Sequence, residues 1–424
     1  MITFIIKGLL RDRHRSLFPV IMVTIGVFIT VFFQAFMGGI LTDMVDSTAR
    51  FSTGHVKIMS RAYAENEDQV PNDLALTGVD AIIKDMKQQY PDMTWVKRIK
   101  YGGLLDIPDE NGETRSQGTV AGFGVDLLSP ASTEISTLNI DKSIVTGRMP
   151  EKPGEILISD EMARDLGIVL GDEATLITST MYGSMAIYNF NVVGTIKFGV
   201  PMMDRGAMIA DIGDIQQALN MEDAAGEILG YLPGGVYNDE ICGKIVGEFN
   251  AKYVDEDNEF APVMVKLKEN SGLSDYLTMA NNMASMIAII FVIIMSIVLW
   301  NAGLLGGLRR YGEVGVRLAI GEHKGHVYRS LLIESVAIGL VGSVIGTSIG
   351  LLMAYWMQTK GWDFSSAMKN VNMMIPLVFR ARITSTTYYI GFFPGLISTV
   401  LGTALAGIGI YKRQTASLFK ELET

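Results

Sequence analysis

The chain has 424 residues, 49% of them hydrophobic and 19% charged, with one cysteine and a formal net charge of −10. The apolar content excludes low-complexity disorder, the lone Cys242 excludes an internal disulfide scaffold, and the acidic balance argues against a generic nucleic-acid binder. The charge is unevenly placed. Residues 43–280 carry 19 Lys+Arg and 38 Asp+Glu, a net of −19, so the remainder must stand at +9. An acidic block sits inside a basic frame, and the frame holds the long charge-free stretches of a membrane protein.

A membrane helix takes roughly 20 apolar residues. Leu17–Thr42 qualifies without one Asp, Glu, Lys or Arg, after a basic segment (1–16) carrying Lys7, Arg11, Arg13 and Arg15. Its apolar run outlasts the ~7–15 residues of a signal peptide, so residues 17–42 are expected to be an uncleaved first span. Residues 43–275 come next as a large exported domain. Short runs punctuated by Gly, Pro, Asn and Asp predict strands over His55–Met59, Thr94–Tyr101, Gly103–Asp106, Thr119–Phe123, Glu155–Ile158, Ala174–Ser179 and Tyr188–Ile196. Helices are predicted over Val79–Gln89, over Asp160–Leu166 between a Ser159 cap and a Gly167 stop, and over Asp211–Asn220 and Asp239–Tyr253. This is an α+β domain. The Gly-Gly pairs at 102–103 and 234–235 predict turns. The acidic run Asp255–Glu259 lacks the glycine and glutamate of a calcium loop, having Phe260 and Lys266 there, and predicts a solvated loop. With His55 and Cys242 as the domain's one His and one Cys, no nucleophilic set stands out.

Three more charge-free windows lie further along: Tyr276–Leu308, whose more polar start predicts a stalk ahead of the second span, Ser335–Thr359 and Ile383–Tyr411. They divide the rest of the chain into a stalk and span (276–308), a loop (309–334), a span (335–359), a short outer loop (360–382), a span (383–411) and a tail (412–424). Lys and Arg collect on the inner side of a membrane. Arg309, Arg310, Arg317, Lys324 and Arg329 in the first loop, and Lys412, Arg413 and Lys420 in the tail, join the N-terminal cluster on one side. Both termini are therefore expected to be cytoplasmic, with residues 43–275 outside. Strips of small residues, Gly303-xxx-Gly307 and Gly342-xxx-Gly346-xxx-Gly350, let helix backbones approach in lipid; they suit either a subunit interface or packing among the chain's own helices. No ionisable residue lies within the windows, which argues against an ion-coupled carrier. No G-x-x-x-x-G-K-[ST] loop is present, so ATP hydrolysis is not expected here. Glu322-His323-Lys324-Gly325-His326 has the wrong His spacing for a zinc helix. No metal or cofactor site is expected in the chain.

The loop after span two reads Arg309-Arg310-Tyr311-Gly312-Glu313-Val314-Gly315-Val316-Arg317-Leu318-Ala319-Ile320-Gly321. A short amphipathic helix fits, with Glu313 and Arg317 as an i,i+4 pair, Val314 and Leu318 on its apolar side, and Gly321 as its stop. Such a helix on the cytoplasmic side either asks for a partner or lies on the membrane surface. The pattern Arg310, Glu313, Gly315, Arg317, Ala319, Gly321, then Glu334, resembles the loop of MacB/FtsX-type ABC transporter permeases. Thr146-Gly147-Arg148, Pro153-Gly154-Glu155, Leu166-Gly167, Gly171-Asp172 and Val192-Val193-Gly194 keep the order of that family's periplasmic domain, and Gly54-His55-Val56-Lys57-Ile58 resembles its lipoprotein-releasing, LolC/LolE-like branch. The resemblance covers essentially the whole chain. It implies a bacterial inner-membrane permease in which a second permease subunit pairs with this one. It also implies a separate ABC ATPase dimer that binds ATP and Mg and docks on Arg310, Glu313, Val314, Gly315, Arg317, Leu318, Gly321 and Glu334. ATP-driven movement would reach the periplasmic domain by mechanotransmission, acting among membrane lipids on lipoprotein cargo or another lipidic substrate, with a periplasmic carrier as a further partner. Unlike the macrolide exporter, the chain is expected to work without a fused ATPase domain, and its tail lacks the family's Pro-x-x-Ala-Leu-Arg ending. Small-molecule or peptide efflux, and non-transport control of a cell-wall enzyme, are the other readings.

Overall fold

The computed structural model describes residues 13–253, 255, 257–269, 273–308, 311–363, 373–374 and 378–412. Lys7, Arg11, Arg309, Arg310, Arg413 and Lys420 lie outside the described residues. The chain divides into a unit of membrane helices and an inserted domain formed by residues 44–278 and 363–377. Helix α1 (Arg13–Thr48) continues past the predicted end at Thr42. It closes through a wider π-helical turn, Ala49–Thr53, with the Gly54 N–H donating to the Ala49 carbonyl at 2.7 Å. Gly54, at φ +61°, then swings the chain into the first strand; a Cβ there would lie 2.8 Å from the Val56 carbonyl oxygen.

In the inserted domain, strand β1 (Val56–Ser60), helix α2 (Val79–Gln89), and the long strands β2 (Thr94–Pro108) and β3 (Thr114–Val125) come first. Next are β4 (Ile144–Gly147), β5 (Glu155–Ser159), α3 (Asp160–Leu166), β6 (Glu173–Ser179) and β7 (Met185–Ile196). β8 (Ala207–Asp211), α4 (Ile212–Ala218), β9 (Glu227–Tyr231), α5 (Asp239–Tyr253) and β10 (Pro262–Lys266) complete it. The sheet order is β10-β1-β9-β2-β3-β8-β5-β7-β4, and β6 bonds both β2 and β7. The path β2-β3-β8-β5-β7-β6 therefore returns to β2 and closes a six-stranded barrel, while β10-β1-β9 remain an open antiparallel wing. β2 serves both: Thr94–Arg98 pair with β9 and Ile99–Pro108 with β3. The predicted turn at Gly102–Gly103 is instead mid-strand. Its cause is crowding by β6, since a Cβ on Gly103 would lie 2.7 Å from the Ile177 carbonyl oxygen. α3 has the predicted caps, with the Ser159 hydroxyl accepting from the Met162 N–H and Gly167 at φ +65°. Two motif matches prove structural. Arg148 makes a two-pronged bond to Glu155, at 2.7 and 2.8 Å, which holds that carboxyl down at about 2. Gly147 and Gly154 supply turns at φ +85° and +80°.

After the domain come α6 (Leu273–Leu308), α7 (Tyr311–Ala319) and α8 (Lys324–Lys360), then a broken fourth span: Ser385–Tyr389, a π-helical stretch Phe393–Ser398, and α9 (Thr399–Lys412). Among the described residues, four helices are long and apolar enough to cross a membrane. Two boundaries differ from expectation. The fourth span is one apolar window in sequence, but Pro394 has no N–H for the ladder, and the helix widens there. The third helix starts at Lys324, not Ser335, because hydropathy marks where lipid begins whereas backbone hydrogen bonding runs on through the charged turns. Residues 311–334 are thus a short helix, a turn and the start of α8.

The glycine strip of α8 lies against α1. A Cβ would sit 2.7 Å from Val23 at Gly342, 2.6 Å from the Thr24 carbonyl oxygen at Gly346, and 2.8 Å from Val31 at Gly350. Val23, Val27 and Val31 fill this trough and join Leu299 and Ile338 in a buried cluster. The strip therefore serves the chain's own packing. Gly303 likewise approaches α9, 2.7 Å from the Thr399 carbonyl oxygen, and Gly307 lies in the last turn of α6. α6 itself touches its neighbours along one thin line: Phe291 stacks on Phe33 at 4.3 Å between ring centroids, and Met295 and Leu299 cover Gly26. Only 6% of its most apolar window is buried against the chain, compared with 33%, 39% and 50% for the other spans. Replacing Gly346 by Leu should force α1 and α8 apart at a cost of about 1–3 kcal/mol or more, whereas Leu340→Ala, on the exposed side of α8, should be near neutral. Yield of folded chain in detergent after a heat step checks this; equal yields would remove the trough as a packing determinant.

Candidate functional site: the helical hairpin between spans two and three

α7 is only nine residues long, too short to be stable by itself in water. The start of α8 holds it in place. Val314 and Leu318, one turn apart, pack on Val327 and Leu331 of α8, with Val314 at 2% and Val327 at 0% exposure. The apolar side expected to await a partner is thus covered by the chain itself. The turn between the helices is a Schellman stop: the Gly321 N–H donates to the Leu318 carbonyl and the Glu322 N–H to the Arg317 carbonyl, each at 3.1 Å, with Gly321 at φ +98°. That motif brings Arg317 and Glu322 together, where an apolar contact is usual. Here the contact is a two-pronged ion pair, Nε to Oε2 at 2.6 Å and Nη2 to Oε1 at 2.7 Å. The Arg317 bond holds the Glu322 carboxyl below the usual carboxylate range, and His326 lies 3.7 Å from the same carboxylate.

The expected Glu313–Arg317 pair is replaced by this one, because the reversal of the chain at Gly321 returns Glu322 over Arg317. Glu313 is exposed, Gly315 is buried, and Glu334 sits half-buried about three turns into α8. Arg310 lies outside the described residues. Sequence reasoning missed Glu322, Val327 and Leu331, although Val327 and Leu331 have the same four-residue spacing as Val314 and Leu318. It also missed what remains uncovered: Val316 is 46% and Ile320 81% exposed.

Among the described residues, four membrane-length helices, a large α/β domain after the first, and this hairpin between the second and third make up the architecture. Residues 285–415, from the middle of α6 through α9, match the family described as FtsX-like permease C-terminal. The chain is 24% identical over 237 residues to the probable export ATP-binding/permease protein MacB of Pseudomonas entomophila, covering 51% of this chain and 34% of that protein. It is 32% identical over 81 residues to the macrolide export ATP-binding/permease protein MacB of Escherichia coli, covering 19% and 12%. Among solved structures, the periplasmic region of MacB from Actinobacillus actinomycetemcomitans matches with a TM-score of 0.34 at 10% identity, over 51% of this chain and 90% of that one. The chain resembles ABC-transporter permeases of the MacB/FtsX type, and residues 285–415 carry its match to the FtsX-like permease family. It spans about a third or less of the length of these curated relatives, whose names join an ATP-binding to a permease part, and it matches only the permease part.

Arg317→Glu places two carboxylates at the stop, and should open the hairpin's end by roughly 1 kcal/mol. The double exchange Arg317→Glu with Glu322→Arg should restore it. Amide exchange at Ile320–Glu322 reads this, and a double exchange as fast as the single variant would show that the pair does not hold the turn.

Proposed function

We propose that the chain is the permease subunit of an ABC transporter driven by a separate ATPase dimer, which binds ATP and Mg and docks on the α7–α8 hairpin. One observation carries the reading: a hairpin whose inner face is closed by Val314, Leu318, Val327 and Leu331 still presents Val316 and Ile320 outward. Apolar surface of that kind suits a docked partner. The basic residues at this hairpin favour the cytoplasmic side of an inner membrane for it and for both termini, with the inserted domain in the periplasm. A second permease copy or homologue would lie against α6, whose apolar sides few of the chain's own residues cover. ATP-driven displacement of the helices would then move the periplasmic domain without a channel through the bilayer.

For the cargo, we favour a lipoprotein or another lipidic molecule drawn from the inner membrane and passed to a periplasmic carrier, in line with the resemblance of Gly54–Ile58 to the lipoprotein-releasing branch. A second reading, export of a small apolar molecule, is favoured by the names of the relatives. Affinity purification of the tagged full chain in mild detergent should recover an ATPase subunit in stoichiometric amount, and Ile320→Asp should lower that recovery by roughly tenfold, the equivalent of 1.4 kcal/mol. Co-purified lipoprotein supports the first cargo. An adaptor protein with an outer-membrane duct supports the second. Recovery of no ATPase, with a soluble periplasmic hydrolase instead, would replace the transporter by a transmembrane regulator.

A further inference from the structure

The inserted domain holds two apolar clusters. The larger fills the barrel and the space under the open wing. The smaller lies on the other face of the barrel strands, around Leu157, Ile209, Val125, Ile196 and Phe198. Two of its contributors come from the chain's membrane connections. Phe51 arrives from the π-helical turn that ends α1, and Met374 from the stretch that joins α8 to the fourth span. Met374 is 2% exposed. Its N–H donates to the Lys197 carbonyl at 3.0 Å, and Asn139 Nδ2 donates to the Met373 carbonyl at 3.3 Å. Met374 therefore plugs its side chain into the domain's fold.

The Phe51 side is clamped. Arg98, 1% exposed, grips Glu134 with Nε at 2.6 Å and Nη2 at 3.1 Å. Its Nη1 donates to the Arg50 carbonyl at 2.8 Å and the Phe51 carbonyl at 3.2 Å, while Nη2 also reaches the Tyr231 hydroxyl at 3.0 Å. Carbonyls at a helix end lack intrahelical partners, and a buried ion pair is a costly way to satisfy them. What it adds is direction, because the planar guanidinium fixes the π-helical turn Ala49–Thr53 against β2 and against the Glu134 segment at once. The way into α6 meets the same place: the Leu267 N–H donates to the His55 carbonyl at 3.1 Å, and the His55 N–H to the Gly230 carbonyl at 2.9 Å.

We propose that the Phe51–Met374 cluster is the anchor through which displacement of the membrane helices reaches the inserted domain, with Met374 as its plug and Arg98 as its clamp. Both are positioning residues. The inference rests on the movement described under Proposed function and names the parts of the chain that carry it.

The test uses the full chain with its co-purified ATPase in nanodiscs, in a Cys242→Ala background, with nitroxides at Lys244→Cys in the domain and Tyr355→Cys in α8. Pulsed electron resonance measures the distance between them with and without ATP and vanadate. The anchor requires a distance shift in the parent protein, loss of that shift in Met374→Ser with ATP hydrolysis retained, and its return in Met374→Leu. A shift unchanged in Met374→Ser overturns the anchor alone. A parent complex that hydrolyses ATP with no shift overturns the movement reading and the anchor with it. Should Met374→Ser fail to assemble, Asn139→Cys and Met373→Cys joined by a short bis-maleimide decide the matter: an anchor that stays engaged keeps the shift, and its loss on joining overturns the proposal.

Discussion

The close approach of α1 and α8 is the constraint on which the membrane unit depends. In lipid no hydrophobic effect draws helices together, so association rests on packing and on how near two backbones can come. Glycines at four-residue intervals on α8 make a trough, and valines at four-residue intervals on α1 fill it. The broken fourth span joins the same contact: Gly339 of α8 lies 3.1 Å, at its notional Cβ, from the Gly395 carbonyl oxygen. Three spans become one body, and the second is left at its edge. The division has consequences at both ends of the helices.

At one end, α8 runs beyond its apolar window and supplies Val327 and Leu331, without which the nine-residue α7 would have nothing to fold on. On the proposed docking, a push on Ile320 would act on the end of the helix that α1 grips. At the other end the same helices lead to the inserted domain. The π-helical turn that follows α1 is held there by Arg98, and residues 373–374 by the Met374 side chain. The barrel is a suitable recipient, because closing β2-β3-β8-β5-β7-β6 on itself removes the free edges along which an open sheet can shear. β2 extends that stiffness into the open wing, where the His55 carbonyl receives the chain on its way to α6.

Much of this architecture was legible in the sequence, because its causes are local. Charge-free windows arise from the cost of charge in lipid. α3 is set by Ser159 and Gly167, and the hairpin stop by Gly321. What escaped has non-local causes. Hydropathy has no means to show that α8 extends to Lys324, since helix formation and lipid burial are different conditions. Gly102 and Gly103 read as a turn because nothing nearby says that β6 presses on them. β9 and β10 were missed although Glu227–Tyr231 is wholly buried, since the burial depends on pairing with strands more than a hundred residues earlier. At the candidate site the motif residues were found but their partners were mistaken. An i,i+4 rule joins Glu313 to Arg317 on an unbroken helix, whereas the Schellman stop brings Glu322 back to Arg317 instead. Met374 carried no signal at all; one Met among 25 becomes distinctive only by where the fold puts it.

The central claim is that the hairpin receives an ATPase and that its motion reaches the inserted domain. Hydrogen exchange of the full complex, read by mass spectrometry with and without ATP and vanadate, tests both halves in one measurement. The account predicts that the ATPase protects residues 316–322 relative to the permease alone, and that nucleotide then alters exchange at 155–159, 207–211 and 373–374. Exchange at 316–322 that ignores the ATPase, or nucleotide effects confined to the membrane helices, would contradict it.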